Sequence, residues 1–409
     1  MAPSFRPAHE DDLERLIDIH TAAFPDGRGR DVRRTNFAHN ALGALEDLRV
    51  LTEGGALLAH AFLFPLEAWF GGVRVRVAGV ATVGVAPEAR GRGLGSQLVH
   101  HLHEVARARG DGVAVLHAFR QGFYARLGYR PVTPYRRFHL HPASIPFRTE
   151  LPVRPAGAVD LPAMRACWDA EARRHTGALV RGSALWNARL ADERRAWFVA
   201  EGKDGVDGYL AWTVRQSEPH ASVLLSVTDM AARTAEAARS LWGILAAQRD
   251  QVDSVEIDVA ADDPIDRALV DADRGRQVRG LTRPGQDLGI ANGDVAHALG
   301  DVAAGPMLRV LDPALALGAR GYAADGSLVL SVGDDALEID VKDGRARVTA
   351  ARAEPLVRMS LPALSAVAFG ALPVADAARL GWVEARDQRA LAVANDLFAL
   401  PPYFSPDAF

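Results

Sequence analysis

Val83, Gly84, Val85, Ala86, Pro87, Glu88, Ala89, Arg90, Gly91, Arg92, Gly93, Leu94, Gly95 and Ser96 join an apolar, β-branched run to a long amphipathic segment, and this stretch decides the fold. Downstream of it, residues 96–109 carry Leu98, Leu102 and Val105 on one helical face. Upstream, residues 73–85 read as two strands with a turn near 77–79. A strand that enters a helix through glycines leaves unpaired N–H groups at the positive end of the helix dipole, and glycine lets a ligand approach the backbone closely. Arg90 and Arg92 add charge-assisted bonds. With Gly91, Gly93, Gly95 and Ser96 they form a cradle suited to a pyrophosphate. A Walker loop needs a lysine after its last glycine, and this region has none. A dinucleotide fingerprint needs glycine where Ser96 stands.

Outward from the loop, residues 13–24 read as a helix, 25–35 as a polar segment, and 48–51 and 56–65 as strands. After the long helix come a buried strand at 113–118, a short helix at 123–127 stopped by Gly128, and an exit at 138–141. Four prolines between 142 and 155 mark a linker. The order then repeats: helix 161–173, strands 197–201, 208–214 and 221–228, helix 234–248 and strand 254–259. In this second copy Asp229, Met230, Ala231, Ala232 and Arg233 stand where the first has glycines. From about Gly305 the pattern changes to a segment at 307–311, a helix at 313–318, strands at 327–332, 337–341 and 346–349, and helices at 361–369 and 374–380.

The 409 residues suffice for two or three domains. Hydrophobic residues at 49% and charged ones at 24% exclude a disordered or fibrous chain. A net charge of −4 gives no global attraction to phosphate backbones, so nucleic acid is not an expected partner. Cys167 is the only cysteine, which excludes an intrachain disulfide and a thiolate metal cluster. No apolar run approaches the roughly 20 residues of a membrane span, and residues 1–12 lack the pattern of a signal peptide. A cytoplasmic location is the expectation. Of the basic residues only Lys203 and Lys342 are lysines, which reads as genome composition and not function.

Arg90-x-x-Gly93-x-Gly95, in its strand-to-helix setting, resembles the acetyl-coenzyme-A motif of the GCN5-related N-acetyltransferases (GNAT). Gly122, Phe123, Tyr124, Ala125, Arg126, Leu127, Gly128 and Tyr129 resemble the aromatic box that follows the next strand in that family. Together with a degenerate second copy, a third domain similar to the sterol-carrier fold and an aromatic last residue, the whole chain resembles the enhanced intracellular survival (Eis) acetyltransferases. The resemblance implies an α/β (α+β) chain of tandem GNAT-like domains, 1–145 and 146–303, the second degenerate, followed by a sterol-carrier-like α+β domain at 304–409. It implies acetyl-CoA as co-substrate, with Val83 and Val85 along the pantetheine between two splayed parallel strands. It also implies Tyr124 as general acid and the α-carboxylate of Phe409 as general base. Such roles suit the chemistry: an ammonium must lose a proton before attack, and a departing thiolate gains from a donor.

Phe24, Asp26 and Phe37 come from the polar segment expected to roof the acceptor pocket, and Asp407 is a similar acidic candidate near the terminus. The expected acceptor is a primary amine, on an aminoglycoside-like polyamine or on a peptide lysine. A homo-oligomer, hexameric by resemblance, is expected. A lipid carrier with a relic acetyltransferase domain is the rival from another class. His100, His101, His103 and Glu104 lack a third ligand of clear spacing, so no metal is expected. His117 reads as a core histidine or a proton relay, and Tyr129 as core. In the third domain Leu315, Leu317, Leu328, Leu330 and Val332 read as core in preference to a lipid tunnel.

Overall fold

A computed structural model describes residues 3–216, 222–269, 277–279, 295–297 and 299–409. The chain divides into two compact units. One takes the chain up to Thr133, Arg173–Arg189 and Gly305–Phe409; the other takes Pro134–Ala172 and Leu190–Ala304.

The first unit is built on a seven-stranded sheet. Its elements are β1 (Ser4–Pro7), α1 (Leu13–Ala23), α2 (Arg30–Ala38), β2 (Leu48–Glu53), β3 (Ala56–Phe70), β4 (Val73–Val85), α3 (Leu94–Arg109), β5 (Val113–Leu116), α4 (Gln121–Arg126) and β6 (Arg130–Pro131). The strand order is β1-β2-β3-β4-β5, then Met307–Val310, then β6. β4 and β5 are parallel neighbours joined through α3, the crossover that parallel strands require. Leu94, Leu98, Leu102 and Ala106 recur at helical spacing and bury one face of α3 in the core shared with β2, β3 and β4. Gly110, at φ 86°, stops α3, with Arg107 and Arg109 in the last turn where the dipole favours cations.

β4 corrects the expected pair of strands, because it runs unbroken through Gly79. A Cβ at Gly79 would meet Leu66 Cδ1 at 2.5 Å and the Phe409 ring at 3.2 Å, so glycine here serves close packing and not a turn. The polar segment also differs, since residues 30–38 are helical with only Arg33 and Phe37 buried.

The same unit holds a five-stranded sheet in the order Arg345–Ala350, Asp335–Lys342, Gly326–Val332, Val357–Met359, Val383–Ala385. Helices Pro313–Ala319, Leu361–Val367, Val374–Arg379 and Gln388–Phe398 accompany it. Leu317, Leu328, Leu330 and Val332 are buried in its core, whereas Leu315 is exposed. The β3–β4 turn meets this part of the chain backbone to backbone: Gly321 N–H donates to Phe70 O, and a Cβ on Gly71 would lie 2.5 Å from Gly321 O.

In the second unit a seven-stranded sheet has the order Gly300–Ala303, Tyr135–Leu140, Ser254–Val259, Val223–Ala232, Gly205–Gln216, Arg195–Gly202, Val153–Pro155. Helices Leu161–Ala172 and Ala235–Ala246 flank it. The strand expected from residue 221 begins at Val223; Ala221 lies outside the described residues.

Sheet membership departs from the boundaries expected at 145 and 303. Met307–Val310 lies between β5 and β6 of the first sheet, while Tyr135–Leu140 pairs with Ser254–Val259 of the second. Each sheet is completed by a strand that the linear order assigns elsewhere. A short apolar strand specifies a buried place in a sheet but not which sheet.

Candidate active site

The site forms where β4 parts from β5. The two strands pair at Ala78↔Ala114, Gly79↔Val115 and Val80↔Leu116 and no further. Beyond that point β4 carries a bulge: Thr82 and Val83 oppose the single residue Ala61 of β3, and Thr82 has φ 50°. A left-handed, β-branched residue is strained, and here the strain falls just past the end of the β4–β5 pairing. Val83 and Val85 both line a cleft of about 870 Å³.

The floor of this cleft is the loop into α3. After a single turn at Pro87–Ala89 the chain passes Gly91 at φ 81° and Gly93 at φ 75°. Gly93 is the N-cap residue, and no side chain caps the helix. Ser96 and Gln97 donate to Gly93 O, while the N–H groups of Gly93, Leu94 and Gly95 have no acceptor among the described residues. Nothing lies within 4 Å of the Cβ positions at Gly91 or Gly93. Open space faces free amides, which is the geometry of an anion site.

The two loop arginines part company. Arg90 lines the cleft and donates to Ala22 O at 3.0 Å and to Val85 O at 3.4 Å, tying the loop to α1 and β4. Arg92 pairs with Glu53 at 2.7 Å and is not among the lining residues. That guanidinium holds the Glu53 carboxyl below its usual range. Gly91, Gly93, Gly95 and Ser96 all line the cleft.

Tyr124 stands at the cleft on α4, 4% exposed, its ring edge-on to Phe123 at 4.9 Å and Tyr129 at 5.9 Å. Burial pushes its phenol up to about 12, so it is protonated at neutral pH and able to donate. Tyr129 is fully buried and hydrogen-bonded to His103 Nε2 at 2.9 Å.

Phe409 reaches the same region. Its ring lies against Gly79 and edge-on to His117 at 5.2 Å. A chain of contacts sets the path of residues 401–409: Thr176 Oγ1 donates to Pro401 O, Phe404 N–H donates to Thr176 O, and Tyr403 fills the space over Gly177. Asp407 then accepts from Arg181 Nε and Arg189 Nη1, both at 2.9 Å, with Asp407 and Arg181 almost fully buried. Both oxygens are committed to guanidinium groups, so Asp407 anchors the tail and is not an acceptor-binding carboxylate. His117 keeps part of its surface in solvent, and desolvation of the rest lowers its pKa.

Of the roof residues only Phe24 lines the cleft. Phe37 is 2% exposed and packs edge-on against His20 and His60, so it belongs to the core. Asp26 accepts from Arg33 at 2.5 Å and from the Arg28 amide, which hold its carboxyl low, and it lies outside the lining. No carboxylate lines the cleft among the described residues. Phe119 and Arg120, which line it, carry no motif in the sequence, and Phe123 and Arg126, which also line it, enter there only as part of the aromatic box. Their signal was position: they follow the C-terminal end of β5, the side of a parallel sheet where ligands bind.

Residues 4–132 match an acetyltransferase (GNAT) domain family, residues 177–284 a second acetyltransferase (GNAT) domain family, and residues 313–405 a sterol carrier protein domain. The chain therefore carries acetyltransferase (GNAT) domains, a class of enzyme that uses acetyl-CoA as donor. More narrowly, it is 28% identical over 349 residues to N-acetyltransferase Eis of Mycobacterium tuberculosis, a match covering 80% of this chain and 79% of the relative. An uncharacterized N-acetyltransferase of Streptomyces griseus is 26% identical over 360 residues, 80% of each chain. The fold is shared with a GCN5-related N-acetyltransferase from Anabaena variabilis, with TM-score 0.83, 22% identity and full coverage of both chains. It is also shared with Eis1 from Mycobacterium abscessus, with TM-score 0.76 and 24% identity over 99% of this chain and 100% of that one. No helix among the described residues is long and apolar enough to cross a membrane.

Proposed function

We propose that the protein transfers the acetyl group of acetyl-CoA directly to a primary amine in a ternary complex. The observation that carries this reading is the uncapped, glycine-lined start of α3, opening onto a cleft that also contains Tyr124. The amides of Gly91, Gly93 and Gly95, with the Ser96 side chain and Arg90, would hold the pyrophosphate, and Val83 and Val85 would border the pantetheine. Arg92 would join them on leaving its solvent-accessible pairing with Glu53.

The free amine attacks the thioester carbon, a C–N bond forms and the C–S bond breaks. β4 backbone N–H groups near Val83–Val85 would stabilise the oxyanion. Tyr124 donates its proton to the leaving thiolate, which departs as free coenzyme A, and regains one from solvent. The α-carboxylate of Phe409 accepts the proton lost by the amine, supported by the seating of the Phe409 ring beside Gly79 and His117. Cys167 lies in the second unit, buried, with its thiol pushed up to about 11, which speaks against a cysteine acyl-enzyme.

By family resemblance the acceptor is an aminoglycoside-like polyamine. A peptide lysine is the second reading, and one observation favours it: Asp26 and Asp407, the carboxylates that would attract a polycation, are both engaged by arginines. A homo-oligomer, hexameric by the same resemblance, and a cytoplasmic location complete the proposal. A free-thiol assay with acetyl-CoA against aminoglycosides, linear polyamines and lysine peptides tests it. Amine-dependent thiol release is expected; no release with any amine would favour a carrier with a relic domain.

A further inference from the structure

We infer that Arg33 is a positioning residue for the turn at residues 24–28 and that, by neutralising Asp26 at the same time, it biases the enzyme toward acceptors with a single positive charge over polycations. The inference narrows the proposed acetyl transfer to amines and rests on it. α2 buries only Arg33 and Phe37, one turn apart on its inner face, while Arg30 and Arg34 stay outside and pair with Glu14 and Asp18 of α1. An arginine turned inward loses its hydration, and only well-placed acceptors offset that cost. Arg33, 2% exposed, has them: Nη2 donates to Phe24 O at 2.9 Å and to Asp26 Oδ1 at 2.5 Å, and Nε donates to Arg28 O at 3.2 Å.

One planar fork therefore holds three points of one turn. The turn matters because its start, Phe24 with Pro25, walls the cleft. Phe24 is fixed from two sides, its carbonyl by Arg33 and its ring by the His20 imidazole 4.6 Å away. Just upstream, Arg90 of the α3 loop donates to Ala22 O, so two arginines brace the same stretch from its two ends. The Asp26 carboxylate is occupied in the process: Oδ1 accepts from Arg33 and from the Arg28 amide, and Oδ2 faces the Arg28 guanidinium at 3.1 Å. Asp26 directly follows Pro25, so a free carboxylate here would draw cationic acceptors to the rim of the cleft. With that charge cancelled, a second or third positive charge on an acceptor gains no attraction from this wall.

Acceptor kcat/KM would be compared for a lysine amide with a blocked α-amine, which has one positive charge, and for a linear triamine, alongside equilibrium binding of acetyl-CoA. Arg33→Gln removes the charge and keeps an amide donor; it should raise the triamine-to-lysine ratio of kcat/KM about threefold to tenfold, and the gain should fade as salt is added. Adding Asp26→Asn to that variant should abolish the gain, because the freed carboxylate is its source. Arg33→Lys keeps the charge without the fork; it should retain the wild-type ratio and raise KM for both amines by a common factor of about three to ten, with kcat and acetyl-CoA affinity changed by less than about twofold. Melting temperatures identify the folded variants. An unchanged ratio in folded Arg33→Gln would overturn the specificity role, and a gain that survives Asp26→Asn would do the same. If Arg33→Gln unfolds, Arg33→Lys decides: a wild-type KM for both amines, or a loss confined to kcat, would overturn the positioning role. Absence of thiol release from acetyl-CoA with either amine in the wild type would instead overturn the acetyl-transfer reading itself.

Discussion

The two acetyltransferase copies differ most at one helix start. In the first, the chain leaves β4 through residues 86–93, and α3 begins behind Gly93 with its amides open. In the second, the strand Val223–Ala232 is followed almost at once by Thr234, whose Oγ1 accepts from Ala237 N–H and caps the helix Ala235–Ala246. Backbone donors that the first copy leaves open are, in the second, partly satisfied by a side chain of the chain itself. Farther back in the second copy, Tyr209 and Asp229 form a buried hydrogen bond. One sheet plan thus yields an open or a capped helix start according to a few loop residues.

Five measurements would sharpen or break this contrast. Tyr124→Phe should lower kcat by about 10²- to 10⁴-fold, the usual weight of a general acid, with little change in acetyl-CoA affinity. Unchanged turnover would remove Tyr124 from the chemistry and leave the first copy with binding alone. Asp407→Ala should cost about 3–5 kcal/mol in the unit that holds the tail, because it strips Arg181 and Arg189 of a buried carboxylate. Thermal unfolding reads that loss, and a wild-type transition would show that the anchor is dispensable.

The third concerns acid. Burial lowers the His60 and His103 imidazoles to about 3, while in the unfolded chain they titrate near the ordinary 6.5. The unfolded state therefore takes up protons first, and stability falls as pH drops below about 6.5, by up to about 1.4 kcal/mol per pH unit for each histidine. Among the described residues the second unit has no fully buried histidine. Its Asp160, held by Arg154 at about 2, contributes stability that persists until pH falls below the unfolded carboxyl range near 4. Hydrogen exchange between pH 7 and 5 should show the first unit opening before the second; equal loss in both would refute this assignment. The smallest effects belong to the helix starts. Gly93→Ala should weaken acetyl-CoA binding by about tenfold, because φ 75° costs a side chain about 1–2 kcal/mol. Thr234→Ala should cost about 1 kcal/mol of stability and leave binding untouched.

What could be read from the sequence follows from how local each feature is. The loop at 86–96 was legible because glycines and arginines at fixed spacing have few structural uses. Gly79 was misread as a turn because the residues that require it, Leu66 and Phe409, are distant in the chain. Arg30–Ala38 escaped because two buried residues in nine give too weak a period. Asp26 and Asp407 carry charges that invite a cationic ligand, but their arginine partners appear only in three dimensions. The bulge at Thr82, which opens the cleft, has no compositional mark at all.

The placement of Met307–Val310 beside β5 bears on how the chain is made. β5 ends at residue 116 and its neighbour at 310, so 194 further residues must be synthesised before that edge is covered. At roughly 5–20 residues per second this leaves about 10 to 40 s in which a fully apolar strand has an open side on the ribosome. The nascent chain is therefore a natural client for a chaperone during that interval, and a stall between these two points would release an aggregation-prone fragment.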